Sequence, residues 1–88
     1  MASDQNDPET QELCDLIESV ATRLVDNAEA VQVTGDRRGQ MVRVHIDVHE
    51  DDMGRIIGRE GRIARAMRTV LMIAASRRGL RSSLDIGN

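Results

Sequence analysis

The sequence predicts an α+β fold, with one small domain in the order helix, strand, strand, helix, helix, strand. Three observations predict it: an amphipathic segment near the amino terminus, a clear alternating strand at mid-chain, and a Gly-x-x-Gly spacing at Gly58–Gly61 that interrupts a helical stretch. The 88 residues suffice for one modest core, which must be aliphatic because the chain has no Phe, Tyr or Trp. Residues 8–88 are predicted to form this domain and residues 1–7 a flexible acidic tail.

The first helix is predicted from Pro8 to about Val25. Asp7 is suited to the N-cap and Pro8 to the first helical position. Cys14 lies beside the apolar stripe and is interpreted as a small packing residue, because it is the only cysteine in the chain. The stripe itself follows helical spacing and consists of Leu13, Leu16, Ile17, Val20 and Leu24.

Three segments have the composition or alternation of strands. Ala30–Thr34 is short, and Gly35–Gln40 after it has the composition of a hairpin loop. Met41–His49 alternates most clearly, and Leu80–Ile86 alternates at the end of the chain. In the middle strand, Val42, Val44, Ile46 and Val48 are predicted to face the core, and Arg43, His45, Asp47 and His49 to face water.

The water-facing residues of this middle strand could suggest a metal site. His45, Asp47 and His49 are spaced by two, which places neighbouring members about 7 Å apart on a flat strand. Three such side chains converge on one ion only if the strand bends strongly, and facial metal sites usually draw ligands from several elements. A solvated sheet face is therefore the better interpretation, and no metal or other cofactor is predicted.

The second half of the chain predicts two helices around the glycine pair. A carboxylate of Glu50–Asp52 is expected to cap a short helix over Met53–Ile57, which Gly58 ends. A third helix is expected from Arg62 to about Arg77–Arg78, with Gly79 as its C-cap. Its predicted buried stripe is Ile63, Met67, Val70, Leu71 and Ala74.

Charge is segregated along the chain. Residues 1–30 contain eight acids and one arginine, whereas residues 54–81 contain eight arginines and one acid, although the net charge is only −3. Such segregation suggests an anionic partner for the basic half, because local potential rather than net charge concentrates a ligand. The alternative is two helix faces of opposite sign that attract each other within the fold.

The stretch between the second and third helices is suited to binding a phosphate backbone. Glycines at the edges of the turn let a sugar-phosphate chain approach the main chain, and the next helix directs its amino terminus to the same place. Bases would lie across the groove between the helices and the adjacent strand. The residues predicted to form this backbone-binding site are Arg55, Ile57, Gly58, Arg59, Glu60, Gly61, Arg62 and Arg65.

The sequence Ile56–Ile63 resembles the signature of the KH domain: an aliphatic pair, Gly-x-x-Gly and an aliphatic helix position. With the six-element order, the resemblance implies a single type II KH domain, a three-stranded sheet packed on one face by three helices. The chain is also similar to the small bacterial KhpA (YlqC-like) family. The similarity lies in Val25–Asn27, Ala30-Val31, Asp52–Gly54 and Gly61–Ala64.

This resemblance implies binding of about four nucleotides of single-stranded RNA, without catalysis. It also implies an RNA chaperone or post-transcriptional regulator, linked to cell elongation and division through a partner of the KhpB type. Glu60 departs from the usual KH loop by placing an acid at the tip, where Arg59 and Arg62 are expected to offset it or to pair with it.

The sequence leaves one alternative function open and argues against catalysis. The alternative to an RNA-binding module is a protein-interaction subunit, a homodimer or heterodimer in which the loop is structural. An enzyme is not predicted, because no nucleophile lies at a meaningful spacing from a base, no Walker-type lysine occurs and no ligand cluster is present. Residues 1–7 also lack the basic and then apolar pattern of a secretory signal, and the single cysteine fits a reducing compartment, so a cytoplasmic protein is expected.

Overall fold

The computed structural model describes residues 7–87, so most of the predicted tail, residues 1–6, lies outside the described part of the chain. The predicted order of helices and strands is confirmed. Within residues 7–87, no helix is long and apolar enough to cross a membrane. The elements are α1 (Pro8–Thr22), β1 (Gln32–Arg38), β2 (Met41–Asp47), α2 (Met53–Ile57), α3 (Arg62–Ser76) and β3 (Arg81–Ile86).

The sheet has the order β1-β2-β3. β1 and β2 pair antiparallel, whereas β2 and β3 pair parallel, so that Gly35, Val44 and Leu84 lie side by side. A parallel pair needs a long crossover, and α2 and α3 supply it. The even-numbered residues of β2, Val42 to Ile46, face the core as predicted. α1 packs against β1 and α3 against β3, which leaves the opposite sheet face to solvent.

The start of α1 is fixed by Asp7. Its carboxylate accepts hydrogen bonds from the Thr10 amide at 3.1 Å and the Thr10 hydroxyl at 2.9 Å, as the N-cap prediction requires. Arg37 of β1 adds ion pairs to Asp7 at 2.8 Å and Glu9 at 3.0 Å. Hydrogen bonds from Arg37 and then Thr10 lower the pKa of Asp7. α1 ends at Thr22, three residues before the predicted boundary.

The predicted hairpin loop over Gly35–Gln40 is wrong. β1 continues to Arg38, and only Gly39 and Gln40 form the turn, while Ala28–Ala30 forms a 3-10 turn rather than the start of the strand. Gly35 lies within β1 and faces α1. A β-carbon at this position would lie 2.6 Å from Cys14 Sγ and 2.8 Å from Thr10 Cγ2. The glycine therefore permits close contact between helix and sheet.

The buried face of α3 is rotated from the predicted one. Val70 was expected in the core but is 39% exposed, whereas Ala64 and Ala75 are buried. The two alanines share the buried face of the helix with the larger Met67 and Leu71, at spacings of three and four residues. Val70 and Ile73 are thereby left at the surface, with Ile73 54% exposed.

Candidate nucleic-acid interface

The Gly58–Gly61 loop has a backbone shape that needs both glycines. Gly58 has φ 76° and ψ 171°, a conformation essentially restricted to glycine, and Gly61 has φ 76° and ψ 15°, in the left-handed region. A β-carbon on Gly58 would lie 2.4 Å from Ile63 Cγ1 and 2.8 Å from the Ile63 amide nitrogen. Gly58 is therefore required by packing against α3 as well as by its dihedral angles.

Hydrogen bonds hold the loop as a tight turn. The Gly58 amide donates to the Gly54 carbonyl at 2.8 Å and closes α2, and the Gly61 amide donates to the Gly58 carbonyl at 3.1 Å. Arg65 Nη1 donates to the Glu60 carbonyl at 2.8 Å, which ties the tip back to α3. Glu60 also has a positive φ of 56°, the only non-glycine residue among 7–87 to do so.

The amino terminus of α3 opens at this loop. Gly61 is its N-cap residue and offers no side-chain cap, so the first-turn amides have no side-chain acceptor there. These amides carry the positive end of the helix dipole. A helix terminus of this kind beside two glycines offers donors to an anionic group without a β-carbon in the way.

The predicted basic residues do not all have the same surroundings. Arg59 is exposed and has no ion pair within residues 7–87, whereas Arg62 lies 3.6 Å from Glu60, with both side chains more than two-thirds exposed. This pair matches one of the two expectations for Glu60, and such exposed pairs contribute little stability. Arg55 instead contacts Asp26 at 3.1 Å and Asp52 at 3.7 Å.

Asp52 has a role that the sequence did not reveal. Asp52 is the N-cap residue of α2, but its side chain does not make the cap that was expected from one of the three acids. Asp52 is 1% exposed, and its carboxylate accepts from the Asp26 amide at 3.2 Å, the Asn27 amide at 3.0 Å and Asn27 Nδ2 at 2.9 Å. Burial raises the pKa of Asp52, but these hydrogen bonds and Arg55 outweigh it, so that the pKa lies below its ordinary value. Asp52 thus links α2 to the connection after α1.

The separation of charge is partly used inside the fold. Arg78, two residues after α3, donates to Glu12 of α1 at 2.7 Å, and Arg55 pairs with Asp26. These contacts agree with the alternative of mutually attracting acidic and basic faces. Arg59, in the loop, and Arg62, the first residue of α3, are exposed to solvent. The basic half therefore contributes both to folding and to an open cationic surface.

A groove lies between α3 and the edge strand β3, about two helical turns along α3 from the loop. It has a volume of about 300 Å³, at the lower end of the range for ligand pockets. Ile57, next to Gly58, is 41% exposed, whereas its neighbour Ile56 is fully buried. The groove is lined by Arg68, Leu71, Met72, Ser82, Ser83 and Leu84.

The outer face of the sheet offers a second, smaller cavity of about 190 Å³. It contains His45, which lies 3.5 Å from Asp47, while His49 accepts a hydrogen bond from the Asp51 amide. The two histidines thus have separate partners. No three metal-ligating side chains come together within the described residues, 7–87.

The fold agrees with what comparison to known proteins finds. A family model described as KhpA/KhpB, KH domain, matches residues 14–86. The chain belongs to this family. The family match and the order of elements confirm the predicted single KH domain. No solved structure matches the sequence significantly.

Bacterial relatives include proteins named RNA-binding protein KhpA. The one from Halalkalibacterium halodurans is 41% identical over 71 residues, which cover 81% of this chain and 93% of the relative. The one from Aquifex aeolicus is 39% identical over 74 residues, 84% and 94% of the two chains, and that from Bacillus subtilis 36% over 76 residues, 86% and 89%. These relatives are named as RNA-binding proteins and not as enzymes, which confirms the non-enzyme prediction.

Proposed function

We propose that this KhpA/KhpB-family protein binds single-stranded RNA through the Gly58–Gly61 loop and acts as a cytoplasmic RNA chaperone or post-transcriptional regulator. The observation that carries the proposal is the loop itself: two glycines with positive φ border the uncapped amino terminus of α3. A phosphate fits that combination because it accepts from main-chain amides and is attracted by the helix dipole. The relatives are named RNA-binding proteins, which supports RNA as the nucleic acid.

Within this site we assign the residues different tasks. Gly58 and Gly61 give the phosphate access, and Arg59, Arg62 and Arg65 supply positive charge around it. Ile57 and the groove beyond it receive the bases, which in single-stranded RNA are free to present their edges. Arg55 and Glu60 belong to the site by position, but Arg55 has two acidic partners and Glu60 reduces the local positive charge.

The proposal is tested by a charge placed in the loop. Gly61→Asp introduces a carboxylate where the phosphate binds, and the nearest atom to its β-carbon is the flexible end of Arg65 at 3.2 Å. Gly39→Asp is the matched control, since Gly39 also has positive φ and its β-carbon would meet nothing within 4 Å. In titrations of a single-stranded RNA octamer, we expect Gly61→Asp to weaken binding at least about tenfold and the control to bind as wild type.

Salt dependence separates backbone binding from other modes. A site that neutralises phosphates releases counterions, so affinity must fall between roughly 50 and 200 mM salt. Wild-type affinity that stays constant over this range would refute the phosphate site. Equal loss of binding in Gly61→Asp and Gly39→Asp would show that strain, and not the loop's contact with RNA, is responsible.

We further propose that the protein acts as a dimer, either with itself or with a partner of the KhpB type, and that this pairing links it to cell elongation and division. The support is an apolar surface on α3, where Val70 and Ile73 are 39% and 54% exposed one helical turn apart. Exposed aliphatic side chains on neighbouring turns are typical of helix-mediated contacts. Homodimer and heterodimer both fit this surface.

The dimer is tested by light scattering at micromolar concentration. Ile73→Glu should convert a dimer to a monomer while the thermal midpoint of the fold is maintained, and Gln40→Glu, in the exposed β1–β2 turn, is the control. Mixing with a purified KhpB-type protein distinguishes self-association from heterodimer formation. A wild-type chain that is monomeric alone and in the mixture would refute this proposal.

A protein-interaction subunit without RNA as its main ligand is the second candidate function. The contact between Arg62 and Glu60 favours it, because it partly neutralises the loop that would bind phosphate. Measuring cell length and division in strains that carry each variant distinguishes the RNA-binding function from the protein-interaction function. If Ile73→Glu has the phenotype of a deletion and Gly61→Asp has none, the protein-interaction function is the correct one.

A further inference from the structure

The position of the groove between α3 and β3 allows it to receive a base of an RNA bound at the loop. It begins about 10 Å along α3 from Gly61, close to two helical turns from the proposed phosphate site. β3 is the last strand of the sheet, so the groove borders an edge. A base attached to a phosphate chain at the loop could therefore enter it. This further inference rests on the proposed RNA function.

Arg68 is the one charged side chain of this groove. Its Nε donates to the Leu84 carbonyl at 3.3 Å, which anchors the guanidinium to the backbone of the edge strand. Among residues 7–87, its two terminal nitrogens, Nη1 and Nη2, have neither a hydrogen bond nor an ion pair. Arg65, one turn earlier, differs because its Nη1 is bonded to the Glu60 carbonyl.

This arrangement fixes the kind of group that the groove can recognise. The Nε contact occupies the Leu84 carbonyl, the backbone acceptor that lies next to the guanidinium. A guanidinium has only donors, and its planar end presents two parallel N–H groups. The complementary group has two neighbouring acceptors, as in the bidentate contact of arginine with a guanine edge.

We propose that Arg68 makes this groove selective for a base that exposes two adjacent acceptors, namely guanine through O6 and N7 or cytosine through O2 and N3. Adenine and uracil are disfavoured because each edge they present alternates donors with acceptors. Leu71 and Met72 provide apolar surface for the ring, and the hydroxyls of Ser82 and Ser83 can serve as donor or acceptor. The proposal makes Arg68 a specificity-determining residue of the RNA site.

The test compares four RNA octamers of uridine that differ only at one central position, which is U, A, G or C. Binding is measured by fluorescence anisotropy. We expect wild type to prefer the G or the C octamer by about fivefold or more over both A and U, and the two arms identify which base is read. Arg68→Lys keeps the charge but loses the planar fork, so it should bind all four octamers equally.

Two further variants separate recognition from folding. Arg68→Gln retains a donor for the Leu84 carbonyl but has no charged fork, and it should lose the preference in the same way. Arg77→Lys, an exposed arginine after α3, should retain it. Thermal midpoints within a few degrees of wild type identify variants whose binding can be compared.

The outcomes distinguish this proposal from the one on which it rests. If wild type binds all four octamers with the same affinity and with salt dependence, the RNA function stands and the role of Arg68 is refuted. A base preference that persists in both Arg68→Lys and Arg68→Gln also refutes it. If wild type binds none of the four octamers, the proposed RNA function itself fails.

Discussion

The two ends of α2 differ in where their contacts go. At the amino end, the Asp52 carboxylate is buried and accepts from the Asp26 and Asn27 amides, so its hydrogen bonds lie within the protein. At the carboxyl end, Gly58 packs on Ile63, and the side chains that follow are exposed. Five residues separate an end that is fixed by polar contacts from an end that is open to solvent.

This difference shows how a small domain without aromatic residues can present a defined loop. A turn rich in glycine is flexible in an unfolded chain, and its shape is set here by what holds its two sides. Asp52 fixes the helix that leads into the turn, and Ile63 fixes the helix that leaves it. The arginines nearest to the two ends follow the same division, since Arg55 has acidic partners and Arg59 has none within residues 7–87.

The largest effect is expected at Gly58. Gly58→Ala should destabilise the fold by about 3 kcal/mol, because it combines a glycine-only backbone conformation with overpacking against Ile63. Gly61→Ala has only left-handed strain and should cost about 1 kcal/mol. Urea denaturation measures both values. Equal costs at the two glycines would show that the contact with Ile63 does not set the shape of the loop.

The next largest effect concerns the fixed end and its dependence on pH. Because the pKa of Asp52 is below its ordinary value of 3.8 in the folded protein, its contribution to stability is present above that pH and is lost as the pH falls through the folded pKa. Asp52→Asn should lower the thermal midpoint by roughly 5 °C or more at pH 7. The difference in thermal midpoint between Asp52→Asn and wild type should become smaller as the pH falls from about 4 towards 2.

The control for this experiment is Asp51→Asn, whose side chain is 79% exposed and lies beside Asp52 in the chain. Asp51→Asn should leave the thermal midpoint near that of wild type, both at pH 7 and between about pH 4 and pH 2. If Asp52→Asn has the same midpoint as Asp51→Asn at pH 7, the amino end of α2 is not fixed by this carboxylate.

A smaller effect separates the two arginines in RNA binding. Arg59→Gln should flatten the dependence of log affinity on log salt by about 0.7, the expected change for one phosphate contact on a single strand. Arg55→Gln should leave that slope unchanged, because its charge is already matched by Asp26 and Asp52. A change of slope in Arg55→Gln equal to that in Arg59→Gln would remove the distinction between the two ends.

The smallest effect is expected at the tip of the loop. Glu60→Asn removes the acid that contacts Arg62 and places a residue that tolerates positive φ in the left-handed conformation. RNA affinity should rise by a few fold at low salt, and the gain should shrink at high salt because the contribution is electrostatic. Weaker binding in this variant would mean that Glu60 contributes to recognition.

Sequence patterns predicted the order of elements because each main helix and β2 has a regular apolar period. They also placed the turn at Gly58–Gly61, since two glycines interrupt a helical stretch. They failed at Gly35, where glycine and nearby polar residues have the composition of a loop. There the requirement for close packing against Cys14 and Thr10 outweighs turn propensity, and only tertiary structure contains that information.

Other differences have related physical causes. Helical spacing placed Val70 among the core residues of α3, but the helix is rotated so that Ala64 and Ala75 are buried with Met67 and Leu71. The sequence of one helix does not show how that helix is rotated against the sheet. Three acids precede α2, so the sequence predicted a cap from one of them and no separate role for Asp52. Its actual partners, Asp26 and Asn27, are about 25 residues earlier in the chain, beyond the range of local patterns.

The close contact between α1 and the sheet has a practical consequence for labelling the protein with a fluorescent dye. Cys14 lies over Gly35, is 4% exposed, and burial raises the pKa of its thiol, so the reactive thiolate is scarce and inaccessible. A maleimide dye should therefore leave the native chain unlabelled. A cysteine engineered at Gln40, away from the proposed phosphate site, would then carry the protein's only fluorophore, and its distance to a second dye on a bound RNA could be followed without replacing any core residue.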